Sequence, residues 1–125
     1  MVAVFPPVEL FKLLADPTRF AALMLIVNHK ELCVCELTEA LALSQPKVSR
    51  HLALLRTSGL LVGEKRGQWV YYRLQPMLDA AANAVLEQVA QLYAHDLAEC
   101  EARLQVCIPT EQAPGCCAPR PGAQF

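Results

Sequence analysis

The chain has no long hydrophobic run, almost no net charge and no cysteine pair at C-x-x-C spacing. Its longest apolar run, ending at Val27, falls far short of the roughly 20 residues that a membrane-spanning helix needs. No basic residue precedes Lys12, and Pro6-Pro7 breaks the short apolar start, so no secretory signal is read there and a cytoplasmic protein is expected. Internal repeats are absent. With 11 Lys+Arg against 12 Asp+Glu, the whole chain is near neutral. What is present is apolar mass: 54% of 125 residues, enough for one domain with a real core and too much for a disordered chain.

Six cysteines stand out: Cys33, Cys35, Cys100, Cys107, Cys116 and Cys117. Without a secretory signal they are expected to be thiols, since disulfides belong to oxidising compartments. They form a C-V-C triplet, two positions seven apart, and a vicinal pair. Charge is also unevenly placed. Residues 44–75 carry Lys47, Arg50, Arg56, Lys65, Arg66 and Arg73 against Glu64 alone, and the remainder is acidic. A basic central third points to an anionic partner.

The pattern along the chain predicts mainly helix. A first helix is expected over Phe5–Leu14, with Val8, Phe11 and Leu14 inward. Asp16-Pro17 then starts a second, which runs to about Val27 with Phe20, Leu23, Met24 and Val27 on one face. Residues 28–35 read as a connector and Cys35–Ala42 as a short helix. Ser44 is expected to cap the next helix, whose buried stripe is Val48, Leu52 and Leu55 and whose stop is Gly59. Leu60–Glu64 and Gln68–Leu74 read as two strands around a tip at Lys65-Arg66-Gly67. A single long helix is expected from Pro76 to about Cys107. Residues 108–125, with four prolines and two glycines, read as a mobile tail. The order is that of a winged helix-turn-helix, mainly α with a β-hairpin wing, in one domain over residues 1–107.

Such a unit sets its second helix in the major groove. There the chain offers Ser44, Gln45, Lys47, Ser49, Arg50 and His51, with Lys65 and Arg66 at the hairpin tip for phosphate or the minor groove. One copy is too small for tight specificity, so a homodimer is expected on double-stranded operator DNA. The N-terminal helix and the long last helix would join its subunits. The bland alternative for both features is an ordinary solvated helix and an intramolecular core helix.

Glu31-Leu32-Cys33-Val34-Cys35-Glu36-Leu37 is the chemical feature. Two thiolates one residue apart suit a soft, thiophilic ion. If a helix begins at Cys35, its N-terminus should favour that thiolate. Residues i and i+2 do not share a helix face, so one ion can join both sulfurs only where the backbone is not helical. The expectation is that the ion unwinds this turn and displaces the reader helix. Two buried structural cysteines are the plainer reading. Cys116-Cys117 could be a second soft-ion site or lend a sulfur to the first. Cys100 and Cys107 read as packing residues, and His29 as a polar surface residue.

From Asp16-Pro17-Thr18-Arg19, through the C-V-C segment, to Ser44-Gln45-Pro46-Lys47-Val48-Ser49-Arg50-His51-Leu52, the chain resembles the ArsR/SmtB family of metal-sensing repressors, and within it the arsenic-responsive members. The resemblance covers roughly residues 8–105. It implies a homodimer that represses its operon and leaves DNA when trivalent arsenic or antimony, As(III) or Sb(III), binds. It also implies inducer ligands at Cys33 and Cys35 and DNA contacts along 45–51. Familiar members carry a third cysteine three residues after the second; here that position is Thr38. The third donor is then a tail cysteine, a small thiol or water, and two sulfurs would also suffice for an arsenical already carrying one substituent. The cadmium/lead and zinc branches are runners-up, the latter disfavoured because Ala80 and Ala81 follow Asp79 and His95 has no matching partner. An enzyme is not expected. A thiol oxidoreductase would rest on the cysteine pairs alone, and a metal-buffering protein with a vestigial reader would bind no defined operator.

Overall fold

A computed structural model describes residues 5–107. In chain order it contains α1 (Pro7–Leu14), α2 (Pro17–His29), β1 (Leu32–Cys33), α3 (Val34–Leu41), α4 (Gln45–Thr57), β2 (Leu61–Arg66), β3 (Trp69–Leu74), α5 (Ala80–Leu92) and α6 (Ala98–Cys107). No helix among the described residues is long and apolar enough to cross a membrane. The tail over 108–125, with Cys116 and Cys117, lies outside the described residues.

Helix α2 is the centre of the core. Asp16 caps it, accepting the N–H groups of Thr18 at 2.9 Å and Arg19 at 3.0 Å, and Pro17 fills the first turn. Residues 22–27 are buried without a break, so α2 is covered on every side rather than along one stripe. Helix α1 packs on it through Leu10 and Leu13. Val8 and Phe11, expected inward, are 67% and 63% exposed. Both faces of α1 are apolar, and α2 covers only one of them, so sequence periodicity could not choose between the two.

The segment read as a connector contains strand β1. It pairs antiparallel with β3, Leu32 opposite Tyr72 and Cys33 opposite Tyr71, and the sheet order is β1-β3-β2. Two residues are too few for an alternation signal, so this strand exists only through its partner. The hairpin is longer than expected. Arg66 faces Trp69 across the last pair, so the turn is Gly67-Gln68, with Gly67 at φ 64. Lys65 and Arg66 are therefore in β2, not at the tip.

The expected single last helix is two. Tyr93 follows the end of α5, and the chain tightens through i to i+3 bonds, Ala94 N–H to Gln91, Leu97 N–H to Ala94 and Ala98 N–H to His95. No Gly or Pro marks this break. Its cause is tertiary: α5 packs on α2 whereas α6 packs on α3, and Leu97 and Leu104 are buried on the second path. Asp79 caps α5, accepting the Ala82 N–H at 3.0 Å and also that of Phe5 at 3.3 Å. Arg103 on α6 donates to the carbonyl of Ala40 at 2.8 Å, closing the C-terminal end of α3. His29 is not a free surface residue: it is half-buried and lies 2.7 Å from Glu101 of α6.

Asp16→Ala should destabilise the fold by about 0.5–2 kcal/mol at neutral pH, measured by urea unfolding. The N–H of Arg19, and then that of Thr18, hold the Asp16 carboxyl below the usual aspartate range. The stabilisation is therefore present above that range and lost as the pH falls through the depressed value. Equal stability of the variant and the parent at pH 7 would remove this cap from the fold's supports.

Candidate functional site: an exposed basic helix beside two cysteines

Helices α3 and α4 form the helix-turn-helix. The turn between them places Ala42 at φ 55, ψ 43, a left-handed conformation that costs a non-glycine residue about 1–2 kcal/mol. Helix α4 buries Val48, Leu52 and Leu55, which leaves Gln45, Lys47 and Arg50 exposed and Ser49 and His51 half-buried. Ser44 occupies the N-cap position, but its hydroxyl makes no capping bond and is exposed, contrary to expectation. The N-terminal half of α4 thus presents a polar, basic surface with no acidic residue in its first turn.

On the wing, Lys65 is exposed, but Arg66 is engaged within the protein. Its Nη2 lies 2.7 Å from Glu31 and 2.6 Å from Glu64, and its guanidinium stacks 4.5 Å above the Tyr71 ring. Hydrogen bonding to Glu31 above all raises its pKa further, so the charge is permanent. An arginine held by two carboxylates and an aromatic face is a brace between β1 and the hairpin. It is poorly placed to neutralise phosphate.

The two cysteines lie where β1 becomes α3. Cys33 is extended, at φ −89, ψ 164, and Cys35 is in the first turn of the helix. Their sulfurs are 3.0 Å apart. Regular helix spacing would have directed them apart; pairing of Cys33 with Tyr71 keeps it out of the helix and lets the sulfurs meet. The sulfurs thus approach with α3 intact, because Cys33 precedes the helix rather than belonging to it. Cys33 is 1% exposed, and its N–H donates to the equally buried Glu36 carboxylate at 2.9 Å. Burial, with the Glu36 charge adding to it, pushes the Cys33 thiol up to about 11, against backbone N–H groups that favour the thiolate. At this cysteine burial outweighs the helix terminus.

Cys33 and Cys100 are free thiols, whereas Cys35 and Cys107 each take part in a disulfide, which departs from the expectation of thiols throughout. Cys107 is also buried and Cys100 half-buried beside Arg103, at 3.6 Å. Thr38, in the position of the missing third cysteine, donates its hydroxyl to the Val34 carbonyl at 2.8 Å. Among the described residues no group of three or more His, Cys, Asp or Glu is arranged to hold a metal ion.

Cys35 also opens onto a cavity of about 140 Å³ lined by Val34, Gln45, Gln68, Trp69 and Val70. The lining joins three elements: the start of α3, the first residue of the reader helix α4, and the hairpin. Sequence reasoning missed Gln68, Trp69 and Val70 because the hairpin is distant from Cys35 in the chain and no local spacing links them.

A family profile described as "Bacterial regulatory protein, arsR family" matches residues 16–61, from the cap of α2 to the first residue of β2. The arsenic resistance transcriptional regulator ArsR1 of Pseudomonas putida is 48% identical over 113 residues, 90% of this chain and 88% of that protein. The chain belongs to the arsR family. Another arsR-family relative, the arsenical resistance operon repressor of Escherichia coli, is 54% identical over 82 residues, 66% of this chain and 70% of that protein. Among solved structures, HlyU from Vibrio cholerae superposes with a TM-score of 0.63 at 36% identity, covering 70% of this chain and 91% of that one. The architecture of this arsR-family chain is accordingly a winged helix-turn-helix, and the family it joins is one of transcriptional regulators.

Alkylation of Cys33 should be slow in the native protein at pH 8 and accelerate toward about pH 11, since only the thiolate reacts. In the unfolded chain the same cysteine should react with the ordinary pH dependence of a thiol. Mass spectrometry of Cys33 after timed iodoacetamide pulses reads this directly. Identical native and unfolded profiles would show that its burial does not suppress ionisation.

Proposed function

We propose that the chain represses an arsenic-resistance operon, binding operator DNA as a homodimer and leaving it when trivalent arsenic or antimony bonds to Cys33 and Cys35. The observation that carries this reading is the 3.0 Å approach of two sulfurs directly beside the DNA-reading elements. Thiolates select soft, thiophilic ions, and the names of the two relatives point to arsenic among them. The third donor is a tail cysteine, a small thiol or water in this reading, because Thr38 stands where a third cysteine would be and its hydroxyl is already used.

Helix α4 enters the major groove, with Gln45, Lys47, Ser49, Arg50 and His51 distributed between base edges and phosphates and Ser44 at its start. Lys65 reaches the backbone from the wing. The second subunit covers the apolar residues that one chain leaves in water: Val8 and Phe11 on α1, and Val85 and Leu92 on α5. The Phe5 bond to Asp79 places the start of α1 beside the start of α5, so these residues belong to one region. For arsenic to act as a switch it must bind the off-DNA state better. A 100-fold loss of operator affinity requires about 2.7 kcal/mol of differential binding, and operator must weaken arsenite binding by the same factor.

Fluorescence anisotropy on a labelled operator, with reduced protein, tests this. Arsenite should release the wild type, whereas Cys33→Ser and Cys35→Ser should bind operator normally and stay bound, because a hydroxyl is a hard, protonated donor. Normal release of both variants would move the inducer site elsewhere in the chain. Arg50→Ala should cost roughly 1–3 kcal/mol of operator binding if Arg50 reads a base. Lys65→Ala should weaken all sequences alike and lower the salt dependence without altering thermal stability. Arg66→Ala should instead lower the melting temperature, and a DNA defect at unchanged stability would make Arg66 a contact rather than a brace.

A further inference from the structure

We infer that the cleft between the end of α2, the end of β3 and α5 binds a small organic carboxylate with an apolar body. The inference is independent of the proposed arsenic response and involves no cysteine. The cleft has a volume of about 340 Å³. Small-molecule sites span roughly 300–1,000 Å³ and combine apolar walls with a few convergent polar groups. Both features are present here.

Ile26 and Val27 of α2, with Leu74 and Pro76 at the end of β3, supply the apolar lining. An apolar cavity of about 150 Å³ is known to hold benzene, so about 340 Å³ has room for a ring and a carboxylate together. The same walls carry Lys30, Arg73, Asn83 and Glu87, two cations and an amide against one carboxylate. That balance selects a ligand with a single negative charge. A guanidinium can receive a carboxylate through two parallel N–H bonds, and an ammonium adds a point charge beside it.

Neither cation is locked into the fold as Arg66 is. Arg73 reaches Glu64 through Nη1 at 3.3 Å with its side chain 42% exposed. The Lys30 ammonium lies 3.9 Å from Glu87, the outer limit of an ion pair, with its side chain 78% exposed. Arg66, by contrast, meets its two carboxylates at 2.6 and 2.7 Å. Lys30 also stands at φ 70, ψ −36, a backbone conformation that a residue with a side chain rarely adopts and that clusters at ligand clamps. Glycine would take that φ without strain, so the end of α2 gives no reason of its own for a lysine.

The cleft is also separate from the apolar stripe of α5. Asn83 and Glu87 follow the buried Ala82 and Leu86 by one residue, whereas the exposed Val85 precedes Leu86 by one. At about 3.6 residues per turn these positions lie on opposite flanks of the helix. A subunit covering Val85 and Leu92 therefore approaches the flank away from the cleft.

Isothermal titration calorimetry of the reduced protein tests this, with benzoate, its neutral isostere benzamide and inorganic phosphate as probes. Benzoate should bind saturably, at least tenfold more tightly than either of the others. Lys30→Gly removes the ammonium while relieving the backbone, so it should keep or raise the melting temperature and weaken benzoate at least tenfold. Arg73→Gln should weaken benzoate likewise. Glu87→Gln, which removes the opposing charge, should tighten benzoate and leave benzamide unchanged, a response that a purely structural role would not give. No saturation at millimolar benzoate overturns the inference, as does benzamide binding equally well. Phosphate binding as tightly as benzoate reduces the cleft to a bare anion site and overturns the apolar body. Unchanged benzoate affinity in both Lys30→Gly and Arg73→Gln places the ligand elsewhere and overturns it too.

Discussion

The antiparallel pairing of Leu32 and Cys33 with Tyr72 and Tyr71 is the constraint on which the rest of the site depends. It holds Cys33 in an extended conformation, so that α3 begins one residue later, at Val34. That offset lets two cysteines separated by a single residue bring their sulfurs together. The same pairing ties the thiol segment to β3 and hence to the hairpin. Glu31, the residue before β1, reinforces the link through Arg66. A perturbation at Cys33 therefore meets the wing through covalent continuity and two backbone pairs, without a chain of intermediate contacts.

Charge is divided between exposed and internally paired positions. Lys47, Arg50 and Lys65 are exposed and are available to an anionic partner. Arg66, in the same basic stretch, is spent on Glu31, Glu64 and the Tyr71 ring, and Arg73 shares Glu64 at 3.3 Å. Counting basic residues over 44–75 thus overstates the charge presented to DNA. At Cys33 the competing effects are burial and nearby backbone N–H groups. Burial prevails at Cys33, where desolvation of a thiolate outweighs the attraction of nearby N–H groups.

The last stretch of chain shows how packing redirects an otherwise regular pattern. Residues 76–107 have the apolar spacing of one helix and no glycine or proline in the region of the break. Yet α5 lies against α2 and α6 against α3, with Arg103 closing the end of α3 and Glu101 joined to His29. Propensity is a weak guide against the burial of Leu97 and Leu104 on a second surface. The break also gives α3 a further neighbour, so the helix that carries Cys35 packs on α6 as well as on the sheet.

The sequence by itself determined the elements whose signals are local. Asp16-Pro17 marked the start of α2, the Val48, Leu52 and Leu55 stripe oriented α4, Gly59 stopped it, and the alternation after Gln68 marked the wing. Those signals sufficed for the helix-turn-helix order and for Cys33 and Cys35 as the chemical feature, because each depends on residues within a turn or two of one another. Only tertiary structure decided the inward face of α1, the existence of β1, the division of the last helix and the engagement of Arg66. The meeting of the two sulfurs and the cavity beside them are also tertiary, since Val34 and Cys35 are brought to Trp69 and Val70 by strand pairing across nearly forty residues. The physical reason is the same in each case: burial and hydrogen-bond partners are properties of what lies opposite a residue, and nothing in the local spacing of a chain states what that will be.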